Sequence, residues 1–352
     1  MAEFNRRQLV GAGAAATLLG VSPLRAHHKP KGAWAALENM PFKVQEIYPA
    51  PFWRNVSDSL ASRPKSFNVI VNAGGLTPDK PYQVTDEVVY YDPKYDAWGY
   101  AQPLPSPRHH LNLVNNNGYL YAIGGFARDE YGGWQMRGDC WRVSSLDEFW
   151  LDFSPLPEPQ AESVCVSNAG FIHVIGGRTP AGTLNAEWND HIDTDDHWVY
   201  DAADDRWYDL RPMPTPRNSA ASAVVNGVIY VIGGRTVRGG GTDAVEVYDA
   251  LADRWSALRP MPKNQGGGVA AGVIDGKIYV FGGEYFDPRP GGVYAEVWEY
   301  DPLQDEWREV TKMTRPRHGL GAVSLGGSIY VMGGGAAAGG AGTSAALDRF
   351  DI

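Results

Sequence analysis

The chain has 352 residues, 43% apolar and 12% aromatic, with 42 glycines and 25 prolines; it can bury a large core and must turn often, which suggests a β-rich protein. A formal net charge of −10 argues against nucleic acid as a partner. Two cysteines, Cys140 and Cys165, make no disulfide framework and read as free, buried thiols.

The chain opens MAEFNRRQLVGAGAAATLLGVSPLRA, with Arg6-Arg7 ahead of an apolar run from about Leu9 to Leu24. This resembles a bacterial twin-arginine export signal, and the run is too short and too interrupted by Pro23 to span a membrane permanently. Residues 1–26 are therefore expected to be a signal peptide and 27–352 the working protein, periplasmic or secreted, with no stable membrane anchor after cleavage. Loss of Arg6, Arg7, Arg25 and Glu3 removes a net +2 and leaves −12.

Six glycine pairs follow: Gly74-Gly75, Gly124-Gly125, Gly176-Gly177, Gly233-Gly234, Gly282-Gly283 and Gly333-Gly334, spaced 50, 52, 57, 49 and 51 residues apart. Between pairs the same order recurs: a strand closing in Tyr-Asp, a turn, a Trp strand, a proline-rich joint, a small-residue strand, a glycine turn and an apolar strand. The tryptophans are Trp98, Trp150, Trp207, Trp255 and Trp307, and the sixth unit has none after it. Gly32 to Leu37, GAWAAL, matches the missing Trp strand. On these repeats the chain resembles the kelch-repeat family, whose units of about 50 residues each form one four-stranded blade. The resemblance covers about residues 32–352 and implies an all-β, six-bladed propeller closed by an N-terminal strand that completes the last blade. Blade two departs most, with Trp141-Arg142 where Tyr-Asp is expected.

In blade four the spacing predicts strands over Ala220–Val225, Val228–Ile232, Ala244–Tyr248 and Arg254–Leu258, the first innermost. Antiparallel reversal places the proline joints and the segments after each glycine pair on one face, and the Asn-Gly and Tyr-Asp…Trp turns on the other. The far face takes much of the acidity, as turn caps. The joint face collects arginines, histidines and a few glutamates.

The joints align as PFKVQE, PSPRHH, PEPQAE, PTPRNS, PKNQGG and TRPRHG. Arg108, Arg217 and Arg317 recur in alternate blades and either brace neighbouring blades or touch a ligand. His109, His110, Glu162 and His318 break the pattern, and adjacent strand residues such as His109 and His110 should point to opposite sides; Glu46 stands with Glu162 and Glu284 among the joint-face glutamates. Glu46, Glu162 and Gly267 fall in one column of the alignment. Arg178 and Arg235, directly after glycine pairs, can fork onto a carboxylate, and Glu284 can answer a hydroxyl or an arginine. The longest unit carries GTLNAEWNDHIDTDDHW, Gly182 to Trp198, where Glu187/His191 and Asp193/His197 would suit a metal if helical and would otherwise belong to a polar lid. Tyr131, Trp134, Tyr285 and Phe286 can stack on a sugar or cover blade ends.

Within the kelch family the chain resembles bacterial periplasmic six-bladed proteins that interconvert sialic acid anomers. On this reading the Arg-, His- and Glu-bearing joint face takes a small anionic sugar, with Glu162 and His110 or His318 as the proton-transfer groups and Arg108, Arg178, Arg217, Arg235, Arg317, His109, Glu46 and Glu284 as binding residues, without a cofactor or bound metal. Two alternatives stand beside it: a non-catalytic module recognising a glycan or protein partner, and a copper radical oxidase by analogy with galactose oxidase, which needs a cysteine bonded to a tyrosine near the axis.

Overall fold

The computed structural model describes residues 32–56, 65–79, 83–128, 132–287 and 289–352. The expected signal peptide lies outside them. Among the described residues no helix is long and apolar enough to cross a membrane.

Six antiparallel sheets radiate from one axis. Blade four consists of Ala221–Val225, Val228–Ile232, Val245–Asp249 and Arg254–Ala257, within one residue of the sequence expectation at every boundary. Blade two keeps its third strand, Cys140–Val143, despite lacking Tyr-Asp. Blade six is closed by Ala33–Ala36, which pairs antiparallel with Leu347–Asp351 and sets Trp34 opposite Phe350. Trp34 also donates its indole N–H to the Lys312 carbonyl at 2.9 Å, the contact that the other Trp strands make with the preceding joint. Apolar clusters fill the spaces between neighbouring blades.

Two sets of hydrogen bonds stitch blade to blade, one at each face. On the far face the turn aspartates Asp96, Asp205, Asp253 and Asp305 adopt positive φ, between 47° and 52°. Each accepts the hydroxyl of its own blade's tyrosine, at 2.7–2.8 Å, and a backbone N–H from the joint that leads out of the preceding blade into its own, as Ser154 N–H does for Asp205 at 3.0 Å. The Trp207 indole donates to the Ser154 carbonyl at 2.8 Å, so Tyr, Asp and Trp act on one joint together. Capping describes half of what these aspartates do; the other half is blade docking.

On the joint face the second glycine of four of the six pairs donates its N–H to a carbonyl of the next blade: Gly75 to Arg108 (2.8 Å), Gly125 to Gln160 (2.9 Å), Gly177 to Arg217 (2.8 Å) and Gly334 to Val44 (2.9 Å). The first glycine must let that carbonyl pass. At Gly74, with φ +69°, a Cβ would collide with the Arg108 oxygen. Gly118, in a far-face turn with φ +81°, has open space around it and isolates the dihedral cost alone. Gly118→Ala should cost about 1–2 kcal/mol, and Gly74→Ala at least about 1 kcal/mol more, read as shifts in urea midpoint. Equal costs would mean that the close carbonyl is not why the glycine is there.

His173 and His197 are buried side by side in blade three, Nδ1 to Nε2 at 2.9 Å, against Tyr248 of blade four. Burial pushes His173 down to about 3, and burial, then its neighbour His173, pushes His197 well below the ordinary value of 6.5. Both are neutral in the fold, so below pH 6.5 the unfolded chain binds more protons and stability falls as pH drops towards 3. At pH 5 the loss should be roughly 1–2 kcal/mol per histidine. The double variant His173→Gln/His197→Gln should lose visibly less stability than the natural chain between pH 7 and 5; an unchanged difference would remove the pair from the acid response.

Candidate functional site

Directly inside the glycine stitches runs a second ring of backbone, one residue per blade, all in the left-handed region: Glu46 (φ 56°), His110 (50°), Glu162 (57°), Ser219 (50°), Gly268 (63°) and Gly319 (55°). Neighbours are joined by Glu46 N–H to Gly319 O (2.7 Å), His110 N–H to Glu46 O (3.0 Å), Ser219 N–H to Glu162 O (3.0 Å) and Gly319 N–H to Gly268 O (2.9 Å). Blade five contributes Gly268 and not Gly267: its joint holds one extra residue, and Gly267 pairs with Glu284 where Asn218 pairs with Arg235 in blade four. A left-handed residue also turns its side chain off the strand pattern. His110 therefore does not point away from His109; their Nδ1 atoms approach to 2.7 Å.

This belt separates two cavities. The central channel, about 450 Å³, runs between the innermost strands and is lined by small and uncharged side chains such as Ser167, Ser222, Ala271 and Ser324. The joint-face cavity, about 330 Å³, has Glu46, His110, Arg235 and Glu284 at its base, with Gln45, Gln83 and Arg128 beside them and Trp134, Trp188 and Phe286 as walls.

The expected site residues fall into three layers. Glu46, His110, Arg235 and Glu284 line the cavity. Glu162, Arg178, His109 and His318 are buried around that base. The His110 Nε2 lies 2.8 Å from Glu46 Oε2 and 3.4 Å from Glu162 Oε1. Glu162 Oε1 also meets Arg178 Nη1 at 3.3 Å and Arg235 Nη2 at 3.6 Å, while its Oε2 accepts the Ser219 hydroxyl at 3.1 Å. Arg235 Nη1 contacts Glu284 Oε1 at 2.5 Å, and His318 Nε2 stands 3.4 Å from Glu284 Oε2 and 3.7 Å from Glu46 Oε1. His109 packs on Phe126 and Trp134, at ring separations of 5.1 and 4.5 Å.

Arg108, Arg217 and Arg317 form the third layer, inside the blades. Each meets an acid of its own blade's third-strand region: Arg108 with Asp139 at 2.7 Å, Arg217 with Glu246 at 2.5 Å and Arg317 with Asp348 at 3.1 Å. Arg217 also donates Nε–H to the Gly233 carbonyl at 2.8 Å, holding the glycine turn from within. None of the three lines the joint-face cavity. Of the two roles open to them, their contacts are those of braces.

The electrostatics follow from this packing. Burial works against ionising Glu46, but His110, His318 and Arg235 outweigh it and hold the carboxyl far below the usual range. Burial is likewise the largest influence on Glu162, overcome by Arg178, His110 and Arg235, so that it too is lowered. Burial drives His109 well below 6.5, with His110 adding to the effect. The Arg235 guanidinium, disfavoured by burial, is held charged by Glu162, Glu284 and Glu46. Tyr48, under the belt, is raised well above 10 by burial and then by Glu162 and Glu46, and stays a neutral phenol.

Some cavity-lining positions were not singled out in the sequence. Arg128 and Gln83 line the cavity through loops that extend the glycine turns, and Trp188 forms a wall from the short 3-10 turn Trp188–Asp190. The four-apart pairs in that segment do not converge. Asp193 accepts from Asn218 Nδ2 (2.5 Å) and Val237 N–H (2.8 Å), His197 is inside the blade, and His191 is buried near Phe126. Among the described residues no group of three or more His, Cys, Asp or Glu is placed to hold a metal. Tyr285 packs on Tyr294, and Tyr131 lies outside the described residues. Cys140 and Cys165 are free; Cys165 faces the central channel and neither lines the joint-face cavity, so the cysteine–tyrosine pair that a copper radical site requires is not assembled there.

With this geometry in place, the comparisons with known proteins agree on the architecture. The chain is 27% identical over 271 residues to Kelch-like protein terF of Aspergillus terreus, covering 74% of this chain and 58% of that one. It is 27% identical over 252 residues to human Kelch-like protein 23 (70% and 41%), and 27% identical over 292 residues to Beta-scruin of Limulus polyphemus (76% and 30%). The chain thus spans well under two thirds of the length of these relatives. The solved structure of YjhT superposes with a TM-score of 0.69 at 17% identity, over 89% of this chain and 95% of that one, a likeness of fold. Residues 157–334, half of the chain, match the KLHDC2/KLHL20/DRC7 Kelch-repeats domain, and with six blades closed by an N-terminal strand the chain belongs to the kelch-repeat family.

Proposed function

We propose that the joint-face cavity binds one small sugar acid and interconverts its anomers. The observation that carries this is the Glu46–His110 pair, 2.8 Å apart at the base of a cavity walled by Trp134, Trp188 and Phe286. Aromatic faces suit the apolar faces of a pyranose, and about 330 Å³ suits a single ring rather than a chain. Arg235 and Arg128 supply positive charge for a carboxylate, while Glu284 and Gln83 can take hydroxyls. The resemblance to periplasmic sugar-acid mutarotases, and an export signal over residues 1–26, belong to the same reading.

Ring opening requires one proton to leave the anomeric hydroxyl and another to reach the ring oxygen. Glu46, ionised, takes the first; His110, through Nε2–H, gives the second. The C1 or C2 carbonyl forms as the ring C–O bond breaks, and reclosure on the other face reverses both transfers. Because reclosure returns the proton of Glu46 to the carbonyl oxygen and that of the open-chain hydroxyl to His110, the pair is restored without help from solvent. Glu162, buried at 3.4 Å from the same Nε2, positions the imidazole, a change from the sequence expectation that it acts directly. A carboxylate held so firmly ionised is a weak base, so the gain in rate should be modest, about 10²-fold.

Anomer exchange of a sugar acid such as glucuronate or sialic acid, followed by NMR, tests this. Glu46→Gln should bind within a few-fold of the natural chain and lose about 100-fold in catalysed exchange. Since Glu46 stays ionised below 4.5, exchange should show no Glu46-dependent loss on acidifying from pH 7 to 4.5. Binding without exchange in the natural chain would replace the isomerase with a non-catalytic recognition module, and full exchange in the variant would remove Glu46 as the base.

A further inference from the structure

Arg178 is the most deeply buried arginine near the cavity, with 0% exposure. One nitrogen, Nη1, contacts Glu162 at 3.3 Å. The other edge, Nε and Nη2, is buried without a hydrogen-bond partner. That edge is the one through which a guanidinium grips a carboxylate with two parallel hydrogen bonds, and a buried charged donor left unpaired is costly enough to need a reason. The structure shows what stands in for the partner: the indole of Trp188 lies over the guanidinium, 3.6 Å from carbon to ring centroid. An aromatic face satisfies a cation in a desolvated site without using its N–H groups.

Trp188 is also the wall between Arg178 and the cavity. The cavity is lined by Trp188 and not by Arg178. The backbone around Trp188 is tied down: Asn185 exchanges two 2.9 Å hydrogen bonds with the Met136 backbone, Ala186 O accepts from Trp134 N–H at 2.8 Å, and Asp190 caps Ala186 and Glu187. The ring itself is held loosely. It is 43% exposed, and its N–H reaches the Val237 carbonyl only at 3.4 Å. A side-chain rotation can therefore move the indole while the loop stays in place.

We propose that Trp188 is a side-chain gate over a second carboxylate seat, the Nε/Nη2 edge of Arg178, and that an anionic ligand opens it by exchanging the indole face for a bidentate hydrogen-bonded pair. This rests on reading the cavity as the site of a small carboxylate-bearing ligand, and it names the residue that selects acid over neutral sugar. Glu162 keeps its hold on Nη1, so the seat is oriented before the ligand arrives. His191, also buried beside Phe126 on the same hairpin, and Asp193 lie close enough to Arg178 to feel its charge. Burial and then Arg178 push His191 below its ordinary value, so it adds no cation there, and burial raises Asp193.

The test compares glucuronate, its neutral amide glucuronamide, and acetate, binding to the natural chain, Trp188→Ala and Trp188→Phe, by calorimetry or, for acetate, by saturation-transfer NMR. Removing the gate should tighten glucuronate and acetate about tenfold and leave glucuronamide unchanged or weaker, while Trp188→Phe, which keeps a ring over the guanidinium, should behave as the natural chain. Adding Arg178→Lys to Trp188→Ala should abolish the gain, with thermal unfolding checking that the double variant is folded. If Trp188→Ala weakens acid and amide alike, Trp188 is only a stacking wall and the gate is overturned; no gain for either anion overturns it too. If no sugar binds any form while acetate binds Trp188→Ala through Arg178, the gate stands and the sugar-acid reading falls.

Discussion

One hydrogen bond, repeated at four of the six blade junctions, carries the joint face: the N–H of the second glycine in the pair reaches into the neighbouring blade for a carbonyl. It is made by Gly75 with Arg108, Gly125 with Gln160, Gly177 with Arg217 and Gly334 with Val44. It works only because the preceding glycine has no Cβ for that carbonyl to strike. Side chains cannot replace it, since the contact is backbone on backbone at the narrow end of a wedge. The bracing arginines act on the same turns from inside: Arg217 holds the Gly233 carbonyl while Glu246 neutralises it. Blade spacing at this face is therefore fixed by main chain, and the side chains of the joints are released for other work.

The repeat made most of this legible. Strand boundaries in blade four came from alternation and from Asn-Gly, and the closing strand at Ala33–Ala36 from a tryptophan out of place. What the alignment of joints could not resolve was direction. Treating the joints as strand predicted that His109 and His110 diverge, whereas a left-handed residue at His110 brings the two rings together. The same geometry pulls Glu46, Glu162 and Ser219 inward, and a one-residue insertion in blade five moves Gly268 into register in place of Gly267. The division of arginines was hidden for a different reason. Arg108 and Arg178 are alike in composition and burial, and only the presence of Asp139 across the blade, set by folding and not by spacing, separates brace from site. Trp188 was visible in its loop, but nothing local says that it covers Arg178.

The charge in the cavity base is balanced without being saturated. Three glutamates, Glu46, Glu162 and Glu284, face two arginines, Arg178 and Arg235, with His110 and His318 between them. Burial alone would resist the ionisation of Glu46 and Glu162; the cations packed against them, Arg235 and His110 among them, hold both below the usual carboxylate range. Such mutual dependence is expensive to break, because removing one partner strands another, by about 3–5 kcal/mol. It is also weak as a source of stability, since an apolar cluster of the same volume would serve a propeller as well or better. The cluster is tied together by mutual contacts and open to the cavity on its outer side, where fixed charges can act on a bound molecule.

Whether that cluster is a by-product of folding or a selected arrangement can be argued from the belt. Ring closure at this level needs six residues with φ near +55°, and blades five and six meet the need with Gly268 and Gly319 at no steric penalty. Blades one to four place Glu46, His110, Glu162 and Ser219 in the same conformation, each at a cost of about 1–2 kcal/mol that glycine would avoid. Among the described residues the other non-glycine cases of positive φ, apart from Gln83, are the short polar or small residues of the far-face turns: Asn117, Ala169, Asn226, Asp275 and the four docking aspartates. On the belt the strained residues are instead the ones whose side chains meet over the axis, Glu46 with His110, His110 with Glu162, and Glu162 with Ser219. On the belt, strain is accepted where glycine would do and where side chains converge beside the cavity, the pattern expected of a working site rather than of a purely structural ring.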